Sequence, residues 1–313
     1  MSRLFDGQFF RRCDAAGRPV WERVKAKVVD AGDAAHRARA ATEHRLLTVL
    51  LHEAPGHFVE PLALLTAAGE VAAEDGLEQF AHHAVLVLEL GRLNLAEYLK
   101  LNRNLSYPAK VALAHRLLEI VCATHSCGIV LMDFKLANVV QFVKEHDVVW
   151  KGVDLDGGRL LGTDLLHDDS VATPEYAAPE LFSGRQTRAS FALDIWSLAM
   201  TIFELFDGNS LCSVHNLLSV DAIRAFMSSP DLQEAIQRLI NANFKGEGNK
   251  LVREFLTATL VVDPSLRPGS IRTLLNNKLF TGCSASISTS HIIRKLEDLE
   301  HATEKGFGML MDK

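Results

Sequence analysis

The hydrophobic period of the chain changes near Asn94, and this change restricts the available folds more than any other feature. Before it, apolar residues come in short runs that suit strands. These are Gln8–Cys13 and Val20–Val29, separated by the turn-rich stretch Asp14–Pro19, then Phe58–Leu65 and Ala84–Leu90. One helix is expected among them at Ala34–Leu51, with Leu46, Leu47, Leu50 and Leu51 at helical spacing and Pro55 and Gly56 beyond its end. After Asn94 the apolar steps become three and four residues, at Leu95–Leu101, Pro108–Cys127, Leu193–Phe206, Val220–Met227, Leu232–Asn241, Lys250–Leu260 and briefly Ser270–Asn276. A hairpin is expected inside this helical stretch, with Val139–Val143 and Val148–Leu155 flanking the polar turn Lys144–Asp147. The pattern predicts an α+β chain: a small sheet with one main helix, then a larger helical part.

Composition excludes several alternatives. With 313 residues, 48% of them hydrophobic and 23% charged, the chain can bury a sizeable core, and whole-chain disorder is excluded. A net charge of -6 argues against non-specific nucleic-acid binding, which needs a basic face. No apolar run approaches the roughly 20 residues of a membrane-spanning helix, and the opening MSRLFDGQFFRR lacks the continuous apolar stretch of a signal peptide. The five cysteines (Cys13, Cys122, Cys127, Cys212 and Cys283) have no metal-ligand spacing. Their odd number and scatter suit a reducing compartment, cytoplasmic or otherwise intracellular.

Chemistry enters with Asp133-Phe-Lys135-Leu-Ala-Asn138, which follows a helix and precedes the hairpin. Phosphoryl transfer needs an in-line hydroxyl, a cation near the moving group and divalent metal on the phosphate oxygens. A carboxylate, an ammonium and a carboxamide at this spacing supply those parts, although a solvated loop carries the same residues often by chance. The spacing D-x-K-x-x-N resembles the catalytic loop of eukaryotic protein kinases. Four further segments follow in that family's order. Lys151-Gly-Val-Asp154-Leu-Asp156 resembles the strand that delivers the metal-binding D-F-G. Ala172-Thr-Pro-Glu-Tyr-Ala-Ala-Pro-Glu180 is close to G-T-P-E-Y-x-A-P-E. Asp194-Ile-Trp-Ser-Leu198 matches D-x-W-S-L, and Asp263-Pro-Ser-Leu-Arg267-Pro268 matches D-P-x-x-R-P.

The resemblance spans roughly residues 7–280 and implies a two-lobed kinase-like fold: a β-rich N-lobe over 1–90, a helical C-lobe over 91–280 and a tail over 281–313. It implies ATP and Mg²⁺ as cofactors and a protein substrate, with Asp133 and Lys135 catalytic and Asn138 and Asp154 on metal. Lys27, held by Glu43, would grip the phosphates, with Lys25 the second choice on the same strand face. Backbone groups near Glu89 would meet adenine, and Val140 would lie beneath the ring. Thr173 would brace Asp133 and Lys135, Asp194 would anchor the catalytic loop and Arg267 would pair with Glu180. Lys135 and Thr173 resemble the Ser/Thr branch.

Three departures set this chain apart. The glycine-rich phosphate loop would fall at Phe5, Gly7 and Phe10, so it is degenerate, or its first strand is cut off by the start of the chain. Leu131 and Met132 replace the usual His and Arg, which removes the arginine that pairs with a loop phosphate. Asp156 replaces the metal-loop glycine, where unusual backbone angles would strain it, and Asp156-Gly-Gly158 offers an alternative D-x-G register. These departures support a second function, a pseudokinase acting as a nucleotide-binding or scaffold module. In the tail, Ile292, Ile293, Leu296 and Leu299 share a helical face, so 291–300 is a candidate partner-binding helix.

Overall fold

A computed structural model of the chain describes residues 3–13, 18–30, 33–66, 83–144, 147–165, 172–184 and 187–283. They form two compact units. The first takes the described residues up to Leu93 together with Val140–Asp156, and the second takes Asn94–Val139 and those from Gly157 on. A single boundary after residue 90 would have put 140–156 with the helical part. The expected helix at 291–300 lies outside the described residues.

The first unit is built on strands β1 (Arg3–Cys13), β2 (Pro19–Asp30), β3 (Pro61–Thr66) and β4 (His83–Glu89), with helix α1 (Ala34–Glu53) between β2 and β3. They form an antiparallel sheet in the order β1-β2-β4-β3. Asp33 caps α1, its side chain accepting the Ala35 N–H at 2.8 Å. Ala40, Glu43, Leu46, Leu47 and Leu50 then recur on its buried face, and α1 packs on β2, β3 and β4. Val29, Ala40 and Ala84, with Leu64 against them, form a core cluster of this layer. The hairpin strands β5 (Val139–Lys144) and β6 (Asp147–Gly152) are tied by backbone bonds to the chain just before β3 and just after β4. The Val59 N–H donates to Gly152 O at 3.0 Å, and the Arg92 N–H to Gln141 O at 2.8 Å. Those bonds place 140–156 in the first unit, although by sequence it sits among helices.

The phosphate-loop expectation fails here. Phe5, Gly7 and Phe10 lie within one continuous strand, opposite Ala26, Val24 and Trp21, with the ladder's irregularity only beyond Phe10. A Cβ on Gly7 would meet Val24 Cγ2 at 3.8 Å, an ordinary contact, so nothing close demands glycine there. Sequence spacing alone had mapped a loop onto a ladder segment.

The second unit is helical. It contains α2 (Leu95–Leu101), α3 (Tyr107–His125) and α4 (Phe191–Asp207), followed by helices at Val220–Met227, Leu232–Asn243, Lys250–Thr259 and Ile271–Leu275. Asn94 and Glu97 form a capping box on α2, and Ser106 caps α3 with Pro108 in its first turn. α3 packs on α4. Their interior includes Leu117, Leu118, Ile120, Trp196 and Phe203, all essentially inaccessible, and each buried leucine contributes about 2 kcal/mol. Among the described residues, no helix is long and apolar enough to cross a membrane.

Candidate functional site

Each unit carries one cluster of the residues singled out above. In the first, Lys27 sits mid-strand in β2, paired across the sheet with Leu86, and is 6% exposed. Its ammonium donates to Glu43 Oε2 and to Asp154 Oδ1, both at 2.8 Å. The other Glu43 oxygen accepts the Leu155 N–H at 3.2 Å. Glu43 reaches this position because it lies on the same helical stripe as Leu46, Leu47 and Leu50. Lys25, the second choice, is paired instead with Asp6 at an exposed position.

The register of the metal-loop segment is decided in the same place. Asp154, not Asp156, bonds Lys27. The left-handed backbone also falls at Asp154 (φ 63°), and Asp156 is not among the described non-glycine residues with positive φ. Replacing glycine by Asp156 therefore carries no left-handed strain, contrary to the sequence expectation.

Burial dominates the electrostatics. It pushes the Glu43 carboxyl up to about 7 from the usual 4.5; the Lys27 ammonium opposes this, and the charges of Asp154 and Asp156 add to it. Burial also works against charge on Lys27, but Glu43 and Asp154 together outweigh it and hold the ammonium above the usual lysine range. A carboxyl whose folded pKa is raised stabilises the fold fully below its unfolded value. That contribution is lost as pH rises through the folded one. Glu43 should therefore make stability fall from pH 4.5 to about 7, by roughly 3 kcal/mol in all. Glu43→Gln is expected to flatten that part of the melting-temperature profile; an unchanged slope would refute the assignment.

Glu89 ends β4 in a structural role. Its carboxylate takes the Lys151 ammonium and the Glu60 N–H, and its own N–H donates to Glu60 O at 3.0 Å. The Lys151 ammonium also lies 4.8 Å from the centre of the Phe142 ring. Val140 is packed closely against Gly91: a Cβ there would come within 2.2 Å of Val140 Cγ1, so only glycine lets the chain pass.

In the second unit, Asp133 is held from three sides. Its Oδ2 takes the Lys135 ammonium at 2.7 Å, its Oδ1 takes the Thr173 N–H at 2.9 Å, and the Asn138 amide donates to its backbone oxygen at 2.9 Å. Lys135 also donates to the Thr173 hydroxyl. The loop is fixed from beneath by Asp194, fully buried in the first turn of α4, which accepts the N–H groups of Leu131 at 2.8 Å and Met132 at 3.0 Å. Met132 adopts φ 69°, uncommon for a long side chain, and the Asp194 bond holds it there. Arg267 bonds both oxygens of Glu180, at 2.7 and 2.8 Å.

Two participants were not singled out in sequence. His125, one of thirteen histidines in the chain, is inaccessible, bonds Asp194 Oδ2 at 3.0 Å and stacks on Phe191. Its place at the end of the helix before Asp133 was the available signal. The Tyr176 hydroxyl donates to Glu204 at 2.6 Å, and burial raises the pKa of both groups. Nothing in spacing links residues that far apart.

A family model described as protein kinase domain matches residues 68–280, more than half of the chain. The chain belongs to the protein kinase domain family. Relatives of this kinase domain include Tribbles of Drosophila melanogaster, 30% identical over 116 residues that cover 37% of this chain and 24% of that protein. Serine/threonine-protein kinase 40 of Gallus gallus is 30% identical over 116 residues, covering 37% of this chain and 26% of that protein. The dual specificity protein kinase KNS1 of Saccharomyces cerevisiae is 24% identical over 256 residues, covering 72% of this chain and 33% of that protein. The chain thus spans about a quarter to a third of the length of these relatives.

Proposed function

We propose that this kinase domain transfers the γ-phosphoryl group of ATP to Ser or Thr hydroxyls of protein substrates, with Mg²⁺. The observation that carries the reading is Lys27 bonded to both Glu43 and Asp154, a buried ammonium held between two acidic side chains. The donor chemistry fits Mg²⁺. The Asp154 side chain is 44% exposed, and Asn138 spends its amide hydrogens on Asp133, leaving its oxygen without a donor among the described residues. Among those residues no three His, Cys, Asp or Glu side chains group to hold a metal by themselves. A single carboxylate or carboxamide oxygen is a suitable partner for Mg²⁺, which commonly keeps waters and phosphate oxygens as its other ligands.

Bound ATP and Mg²⁺ supply the phosphoryl group and the cation that offsets its charge. Asp133 orients the acceptor hydroxyl and takes its proton, while Lys135, kept in place by Thr173, offers positive charge to the γ-phosphate. Lys27, positioned by Glu43, grips the α- and β-phosphates, and the Glu89–Gly91 backbone with Val140 receives adenine. Preference for Ser and Thr rests on Lys135 and Thr173 and agrees with the name of one relative. An intracellular setting belongs to this reading, since all five cysteines are free thiols.

A second reading, a pseudokinase serving as a nucleotide-binding or scaffold module, draws on Leu131 and Met132 standing where the family carries His and Arg, with Met132 at φ 69°. Label transfer from ATP and nucleotide-dependent thermal shift, compared between wild type and Asp154→Asn, separate the two. Transfer should fall by about 10²–10³-fold in the variant. Equal transfer in both proteins would remove the enzyme reading, and a thermal shift without transfer in wild type would establish the scaffold.

A further inference from the structure

β2 carries a second lysine on the face that holds Lys27. Residues two apart in a strand share a face, so Lys25 lies one step, about 7 Å, from Lys27. The sheet register sets Lys25 opposite Asp6 of β1 and Leu88 of β4. Its ammonium donates to the Asp6 carboxylate, and that bond holds the Asp6 carboxyl below the usual carboxylate range, so both groups are charged at neutral pH. The core cluster of Val29, Ala40 and Ala84 lies beyond Lys27 and leaves the pair open: the Lys25 side chain is 35% exposed and that of Asp6 55%. What borders the pair fixes its place, all within the first unit. On one side Lys27 meets Asp154 at 2.8 Å. On the other, the chain runs from Leu88, near the end of β4, to Gly91, which is packed against Val140. Lys25 and Asp6 lie between these two points, on the face that meets Asp154.

We propose that Lys25 and Asp6 set the nucleotide preference of this site: it holds nucleoside triphosphates by their phosphates and discriminates little between bases. The inference deepens the nucleotide reading given above and rests on it. With phosphates at Lys27 and the base at Glu89–Gly91, the sugar and base lie against the Lys25–Asp6 pair. A flat ring gains most from an apolar lining. Covering a charged pair instead strips water from both ions, and the attraction of an ammonium for a ring face repays only part of that loss. The hydrogen bonds left for the base edge each bring only a small net gain. Affinity therefore comes from the phosphate end, which every nucleoside triphosphate shares.

Isothermal titration of the whole chain with ATP, GTP and inorganic tripolyphosphate, each with Mg²⁺, tests this without measuring transfer. Wild type should bind the three within about tenfold of one another. The double variant Asp6→Val/Lys25→Ala removes one charge of each sign, so the net charge felt by phosphate is unchanged, and it gives the base an apolar lining. ATP should bind this variant about tenfold or more tighter than wild type, as when a covered ion pair gives way to apolar residues, while tripolyphosphate affinity stays the same. Lys25→Arg keeps the pair and should bind ATP as wild type does. A wild type that prefers ATP to GTP or to tripolyphosphate by well over about tenfold, or a double variant with no gain for ATP, would overturn the proposal and leave the nucleotide reading standing. No binding of any of the three by either protein would refute the nucleotide reading and the proposal with it.

Discussion

Lys27→Met is expected to lower phosphoryl transfer from ATP by about 10²–10³-fold while the protein stays folded. The ammonium is shared by Glu43 and Asp154, and methionine replaces its volume without its charge. Stability should respond to pH in a particular direction. Without Lys27, burial and Asp154 both act to keep Glu43 protonated, so the buried carboxyl stays neutral to higher pH. At pH 6 wild-type Glu43 is already largely protonated, given a pKa of about 7, and the variant gives up chiefly the Lys27–Asp154 bond. At pH 8 the wild type has the full ion pair to lose. The melting temperature should accordingly drop more at pH 8 than at pH 6. Full transfer by the variant, or an equal drop at both pH values, would show that Lys27 does not have the role assigned to it.

Arg267→Ala should cost the most stability of any single change among the residues named above. The guanidinium is inaccessible and donates to both oxygens of Glu180 and to the carbonyls of Ala192, Val261 and Val262, 4.9 Å from the centre of the Trp196 ring. Truncation leaves a part-buried carboxylate and three carbonyls without that donor. Removing one partner from such a pair costs about 3–5 kcal/mol, which lowers the melting temperature by roughly 10 °C for a domain of this size. Arg267→Lys keeps the charge but not the fork and should recover only part of it. Glu180→Ala added to Arg267→Ala should cost little beyond the single change, because the two groups act as one. Purely additive losses would show that the pair is not coupled.

Much of the fold was legible because its signals are local. The helix over Ala34–Glu53 could be read from leucines spaced by turns, and Glu43 fell on the buried face by the same arithmetic. Motifs with short internal spacing also carried over: Asp133, Lys135 and Asn138 lie within one loop and its 3₁₀ turn, so their proximity follows from the chain itself. Contacts between distant segments were legible only through family resemblance, as with Arg267 and Glu180. Where no motif marked the partner, they went unread, as with His125 on Asp194 and Tyr176 on Glu204. The phosphate-loop assignment failed for a related reason. Spacing counts residues, whereas strand pairing decided that Phe5, Gly7 and Phe10 form one ladder.

The sequence by itself determined the order of elements, the change from sheet to helix near Asn94 and the candidate groups for the phosphoryl chemistry proposed above. These depend on period, capping and residue type, which are properties of neighbours along the chain. Tertiary structure decided which of two lysines is buried against Glu43, which of two aspartates it also meets, and where the left-handed backbone falls. It also decided that the hairpin after Asn138 joins the first unit. Lys25 and Lys27 share a strand face and a charge. Only packing against α1 and the 140–156 segment desolvates one and leaves the other in water, and that difference in burial separates a poised ammonium from a surface one.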